Sequence, residues 1–323
     1  MSEFQVQANR DAIREQLAAM PLRMGQIDVN GKCNAKCWYC PVKYVGNPKE
    51  FAVQMTATEL DHVLGQLRNS PLVSINFKFL YSCHYNEVLL YRNFAEMIPV
   101  FRRHGFSTMI LSNGTPVTPE KTDLILDNPD VFWGILLNIP ALDRDEWIAK
   151  VGMSASVHQV LLRNLDYLHD KGKTKAKIQI NCATGNTGLL EMSIGGNQES
   201  AEEIARSFRT RYPNFEIVVQ TWLSDRAGKL EKLKVLSQNQ RANTEVIGCS
   251  HSSDEGGRVY GWVHINARGD RFLCCDDFDM DYCFGNLHRN TLVEIWLSEA
   301  HVDAIARAQA GICRSCQFRV KRS

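Results

Sequence analysis

What this sequence lacks narrows its class before any motif is read. No apolar run reaches the roughly 18 residues that a membrane-spanning helix needs. The first seven residues, Met1-Ser-Glu-Phe-Gln-Val-Gln7, are polar, whereas an export signal carries an apolar core. Charge of neither sign dominates: 37 Lys and Arg stand against 36 Asp and Glu, for a net charge of +1, so no global field draws the chain to a polyanion. There is no repeat longer than a strand–helix unit and no low-complexity segment. The expectation is a cytoplasmic globular protein with neither membrane nor nucleic acid among its partners. Its 323 residues, 44% hydrophobic and 23% charged, suffice for one large domain or a large and a small one.

Cysteine, by contrast, is plentiful. Eleven cysteines without an export signal point to a reducing compartment and to metal or redox chemistry rather than disulfides. Three fall within eight residues, Cys33-x3-Cys37-x2-Cys40. They cannot pair evenly, and a tetrahedral zinc site would want a fourth ligand nearby. Three thiolates on one loop suit a 4Fe–4S cluster with one iron open to another ligand. Cys83 and Cys182 are isolated, and Cys249, Cys274, Cys275, Cys283, Cys313 and Cys316 gather late. Two separate metal sites are the economical reading.

The rest of the chain alternates between two periods. A short amphipathic helix is expected at 10–20. Strands are expected at 24–30, 72–80, 106–111, 131–137, 177–181 and 215–221, each a β-rich run. Between them lie helical patterns starting at Thr56, with a capping-box spacing to Glu59, at about Tyr91 with a stop at Gly105, at Thr118, at 155–169 and at 198–211. Six strands alternating with helices predict a parallel sheet, doubly wound or partly closed, with chemistry at the C-terminal ends of the strands. The cysteine loop follows one such end. Residues 225–248 turn polar, as a linker would. After them 259–266 and 271–273 read as a hairpin around Gly269-Asp270, ending on Cys274, and a helix is expected at 292–310, stopped by Gly311.

These residues carry a family resemblance. Cys33-x3-Cys37-x2-Cys40, with Tyr39 before the last cysteine, resembles the cluster motif of the radical S-adenosylmethionine (radical SAM) enzymes. The resemblance implies a partial (β/α)6, TIM-like barrel. It also implies a 4Fe–4S cluster on Cys33, Cys37 and Cys40, with S-adenosylmethionine (SAM) on the open iron. Reductive cleavage of SAM then gives a 5′-deoxyadenosyl radical that abstracts a substrate hydrogen atom. Asn86-Glu87-Val88 stands where the family has Gly-Glu-Pro, so Glu87 matches the residue that holds the SAM amine while its neighbours depart from the pattern. Ser112-Asn113-Gly114-Thr115 resembles the Thr-Asn-Gly-Thr found after the third strand, and Asn138 occupies a position that approaches SAM in relatives. Plain turn chemistry is the alternative for these polar strand ends.

The late cysteines resemble the SPASM/twitch extension of one branch of that family, a small α+β domain. Cys249, Cys274, Cys313 and Cys316 would hold a second, auxiliary 4Fe–4S cluster, the resemblance favouring Cys274 over Cys275; structural zinc is the alternative. The implied division is a barrel at 1–224, a linker at 225–248 and an auxiliary domain at 249–323. The implied activity is oxidation of a small molecule, such as a sugar or an aminoglycoside-like intermediate, with a flavodoxin- or ferredoxin-type electron donor. The lack of a separate leader-binding domain before Met24 favours that over a ribosomal peptide, whose crosslinking is a rival. A radical epimerase is another rival, with Cys83, Cys182 or Cys283 as hydrogen donor, as against the same thiols serving as small buried hydrophobes. RNA modification is disfavoured by the charge, and a zinc-stabilised binding protein is the non-enzyme alternative. Asp143, Asp145 and Glu146 are candidate bases, or a helix-starting acidic run.

Overall fold

Six strands run parallel in sequence order: β1 (Met24–Ile27), β2 (Phe79–Tyr81), β3 (Ser107–Ser112), β4 (Phe132–Asn138), β5 (Lys177–Ala183) and β6 (Glu216–Gln220). They belong to a computed structural model that describes residues 3–47, 53–82, 84–172, 177–183, 201–220, 226–233, 245–251 and 257–322. Helices Ala57–Asn69, Phe94–His104, Pro119–Leu126, Ala155–Gly172 and Ala201–Arg211 make the crossovers, as parallel pairing requires. The first begins with the expected capping box of Thr56 and Glu59, and Gly105 closes the second at φ +64°. Ile27, Leu80, Ile110, Ile135, Ile178 and Ile180 share one buried cluster with Leu60, Val63, Leu64 and Leu67 of the first crossover helix. Among the described residues no helix is long and apolar enough to cross a membrane.

The sheet does not stop at β1. Strands β8 (Trp262–Ile265), β9 (Asp270–Phe272) and β10 (Cys283–Asn286) extend it, in the order β10-β9-β8-β1-β2-β3-β4-β5-β6. β8 lies parallel to β1 in unbroken register, Met24 opposite Trp262 and Ile27 opposite Ile265, and β8 to β10 pair antiparallel. A second, two-stranded sheet joins β7 (Val246–Cys249) to β11 (Arg319–Lys321). The N-terminal helix Glu3–Ala19 completes the docking: Trp296 Nε1 donates to the Leu17 carbonyl at 3.1 Å, and Arg14 pairs with Glu299. One apolar core therefore runs from Leu17 and Ile27 through Val263 and Leu273 to Ile295 and Trp296.

Several elements differ from their expected bounds. The second strand is only Phe79–Tyr81, because Ser74 folds the preceding residues into a turn, its side chain accepting from the Asn76 amide and its carbonyl from Phe77. Val73 keeps a single bridge to Leu22, and Ile75 is exposed. Residues Gly257–Gly261 form a helical turn, so the hairpin starts three residues later than its β-rich composition suggests. Its turn is as expected, with Gly269 at φ +80° and the Asn266 side chain accepting from the Arg268 and Asp270 amides. The C-terminal helix is two, Leu292–Trp296 and Glu299–Ala310, with Ser298 capping the second.

Candidate active site

Cys33, Cys37 and Cys40 lie on the loop that leaves β1, pinned on three sides. Lys36 and Trp38 donate their amides to the carbonyls of Val151 and Lys150, each at 2.9 Å. Asn34 joins the turn after β3, donating to Thr115 Oγ1 and accepting from Asn113 Nδ2, both at 2.9 Å. Asn30 carries the third tie: its side chain donates to the Glu87 carbonyl and accepts from the Lys32 amide. Burial pushes the Cys33 and Cys37 thiols up to about 12, and each thiolate nearby raises the others. Thiols packed this closely ionise easily only with a cation among them, which fits an iron–sulfur cluster.

The polar residues expected at the strand ends do converge on this loop, though some carry structural bonds. Tyr39 is buried, and its hydroxyl accepts from Asn138 Nδ2 at 2.7 Å. Asn138 Oδ1 is buried without a partner among the described residues, an acceptor left open for a ligand. Glu87 is fully buried: one carboxylate oxygen accepts from the Leu89 amide at 3.2 Å and the other from Asn113 at 2.8 Å. Burial still raises its carboxyl to about 7 against those bonds. Asn86 donates to the Asn30 carbonyl and accepts from the His84 amide. Ser112 accepts from the Gly114 amide, and Asn113 Oδ1 from the amide and hydroxyl of Thr115. Asn34 was not singled out from sequence; its only signal was a turn-former inside the cysteine loop.

A second group forms between the hairpin and the C-terminus. Cys249, Cys274, Cys313 and Cys316 line one pocket, together with His251 and Asp276. The Cys249 and Cys316 sulfurs accept the amides of His251 and Phe318, each at 3.4 Å. Four thiols lining one half-buried pocket are the ligand number that a four-iron cluster takes, while the ligand atoms that lie within 4.8 Å of one another are those of His251, Cys275 and Asp276. Cys275 stands outside that lining: its sulfur accepts from Arg258 Nη1 at 2.6 Å, and its carbonyl from His84 Nε2 at 2.7 Å and the Tyr85 hydroxyl at 3.0 Å. Arg226 lies between the two groups, 3.6 Å from Asp276 and over the Tyr85 ring, and its charge lowers the thiols of both Cys40 and Cys275 against burial.

The remaining candidates are placed elsewhere. Cys83 lies outside the described residues. Cys182 sits on β5 in register with Val219. Cys283 is exposed on the edge strand β10 and does not line the four-thiol pocket. Asp143 caps helix Arg144–Val151 by accepting the amides of Asp145 and Glu146; Asp145 pairs with Arg144 and Glu146 with Lys150, so the acidic run starts a helix.

With the geometry in place, comparison with known proteins places the fold. A family model for the radical SAM superfamily matches residues 27–206, and one for an iron–sulfur cluster-binding domain, SPASM, matches residues 257–317. Among solved structures the chain is similar to BtrN in complex with AdoMet and 2-DOIA, with a TM-score of 0.53 and 16% identity over 94% of each chain. It is also similar to anSMEcpe with bound AdoMet, with a TM-score of 0.59 and 12% identity over 92% of this chain and 86% of that one. A third is SuiB of Streptococcus suis bound to precursor peptide SuiA, with a TM-score of 0.55 and 13% identity over 96% and 73%. No curated protein sequence matches.

Proposed function

Because this chain belongs to the radical SAM superfamily and carries a SPASM-type iron–sulfur domain, we propose that it oxidises a small molecule held between the barrel mouth and the C-terminal extension. In this reading residues 1–224 are the catalytic barrel, 225–248 a linker and 249–323 the auxiliary domain. Cys33, Cys37 and Cys40 hold the SAM-binding cluster; Cys249, Cys274, Cys313 and Cys316 hold the auxiliary one. When bound, these groups supply one-electron cleavage of the sulfonium, abstraction of a hydrogen atom and a nearby electron acceptor. Tyr39 orients Asn138 so that its free oxygen can accept from SAM, while Glu87, Ser112 and Asn113 hold the shape of the adjoining turn.

The observation that carries this reading is the contact between the loop after β2 and the segment that bears Cys274. His84 and Tyr85, from the loop after β2, both donate to the carbonyl of Cys275, next in sequence to Cys274. The four-thiol pocket is thereby fastened to the barrel mouth, where an electron acceptor would serve an oxidation. The small-molecule preference draws on BtrN, a structure holding 2-DOIA that is matched over 94% of its length, against 73% for SuiB with its peptide. A flavodoxin- or ferredoxin-type protein would deliver the electron. Anaerobic reconstitution tests the reading: about eight irons per chain and release of 5′-deoxyadenosine on reduction with SAM are expected, with a product two mass units lighter. Zinc at both sites without SAM cleavage would sink it. A product that instead gains one deuterium in deuterated buffer would replace oxidation with epimerisation.

A further inference from the structure

A second pocket opens to solvent beside the first cysteine loop, where the end of β1, the loop after β2 and the β8–β9 turn meet. Asp28, His84, Tyr85, Asn266, Phe278 and Met280 contribute to its wall. Two of its polar atoms, Asp28 Oδ1 and His84 Nδ1, are buried without a hydrogen-bond partner among the described residues. The two side chains are only 5% and 2% exposed. Native interiors rarely leave such atoms bare, because each has given up water without replacement.

The protonation of His84 follows from its other nitrogen. Nε2 lies 2.7 Å from the Cys275 carbonyl, which can only accept, so Nε2 carries a proton and donates. Burial lowers the ring's pKa to about 3, so it is neutral and Nδ1 presents a lone pair. The nearer Asp28 oxygen, Oδ2, is 3.9 Å from Nδ1, too far for a hydrogen bond. An acceptor nitrogen and a carboxyl group thus face a common space; burial raises the Asp28 carboxyl well above the usual carboxylate range, and a donor bound between the two groups would favour its ionised form. The ring of Tyr85 meets that of Phe278 edge to face, with centroids 4.7 Å apart, and Met280 adds a soft apolar surface. Acceptors at one edge and apolar rings at another suit a small ring compound with hydroxyl or amino edges and C–H faces.

We infer that Asp28 and His84 form a paired acceptor that binds a hydrogen-bond donor of the substrate, a hydroxyl or protonated amino group on a polyol-like small molecule. The assignment rests on the oxidase reading above and supplies its substrate contacts. The carbonyl of Cys275 fixes His84, so the same bond that fastens the auxiliary pocket to the barrel also aims the acceptor.

The test uses reconstituted holoenzyme with SAM and isothermal titration calorimetry with two probes, myo-inositol and glucosamine. Wild type is expected to bind at least one: comparable affinities identify a hydroxyl donor, and preference for glucosamine identifies the ammonium. Asp28→Asn provides an amide that can donate to His84 Nδ1 within the pocket. Probe binding should weaken at least tenfold while the thermal midpoint holds or rises, a pairing that a purely structural Asp28 would reverse. His84→Gln, which can still donate to the Cys275 carbonyl, should weaken binding similarly at unchanged iron content. No binding of either probe to wild type, or unchanged affinity in both variants, overturns the assignment. Binding is read without turnover, so absence of 5′-deoxyadenosine release from wild type would fail the oxidase reading separately.

Discussion

The buried carboxylate of Glu87 accepts the backbone amide of Asn113 at 2.8 Å, so one side chain from the loop after β2 closes the turn after β3. Its second oxygen accepts the amide of Leu89, and the backbone of Glu87 receives Asn30 and gives to Lys32. The ends of β1, β2 and β3 are therefore clamped through a single residue. Its family counterpart is expected to hold the SAM amine, but here the side chain already serves two backbone donors.

Glu87→Gln tests the clamp. A glutamine can accept from only one of the two amides and sets an N–H against the other. The expected loss is about 1–3 kcal/mol, measured by urea denaturation. Undiminished stability would show that the lost bond contributes nothing.

The neighbouring turn makes a second, independent demand. Gly114 has φ +83°, and a Cβ placed there would come within 2.6 Å of Leu161 Cδ1. Gly114→Ala combines a left-handed backbone with overpacking, so a loss of roughly 2–4 kcal/mol is expected in the same denaturation assay. Leu161→Ala in the same chain should relieve the overpacking part of the substitution's cost while leaving the backbone part.

The two adjacent cysteines give a sharp contrast. Cys274 lines the four-thiol pocket, whereas the Cys275 sulfur turns to Arg258. Cys274→Ala should lower reconstituted iron from about eight to about four per chain, and Cys275→Ala should leave about eight. The reverse pattern, read by iron analysis and Mössbauer spectroscopy, would exchange their roles.

Acid should weaken the fold through His301. Its ring stacks on Phe284 with centroids 3.9 Å apart, its Nδ1 is 2.9 Å from the Trp296 carbonyl, and burial lowers its pKa to about 3. Unfolded, the same ring takes a proton near its ordinary value of about 6.5. Between those values the unfolded chain binds more protons, so this contribution is complete above about pH 6.5 and is lost as pH falls toward 3. His301→Gln should flatten the decline in urea midpoint between pH 7 and pH 5.

The elements read well from sequence were those with local signals. The capping box at Thr56, the stop at Gly105 and the Gly269 turn are written in residues a few positions apart, and each is present. The second strand was overextended because Ser74 adds a turn to an otherwise β-rich run. The 292–310 stretch carries an unbroken helical apolar pattern, and the Ser298 cap interrupts the helix without disturbing that pattern. The cysteine spacing pointed to the first loop, but not to Asn34, whose partners Asn113 and Thr115 lie far along the chain. The pairing of β8 with β1 was invisible for a related reason: parallel strands share no turn to mark them. Asp28 and His84 likewise meet only through the fold.

That pairing also governs how the protein is made. Residues 24–27 leave the ribosome early, yet one of their two hydrogen-bonded partners is Trp262–Ile265. Throughout synthesis of the parallel series the outer edge of β1 therefore has no native partner, and an unpaired edge is a template for wrong pairing. The barrel and the extension are in this sense one folding unit. A nascent chain stalled before residue 262 carries the whole first cysteine loop beside an open sheet edge.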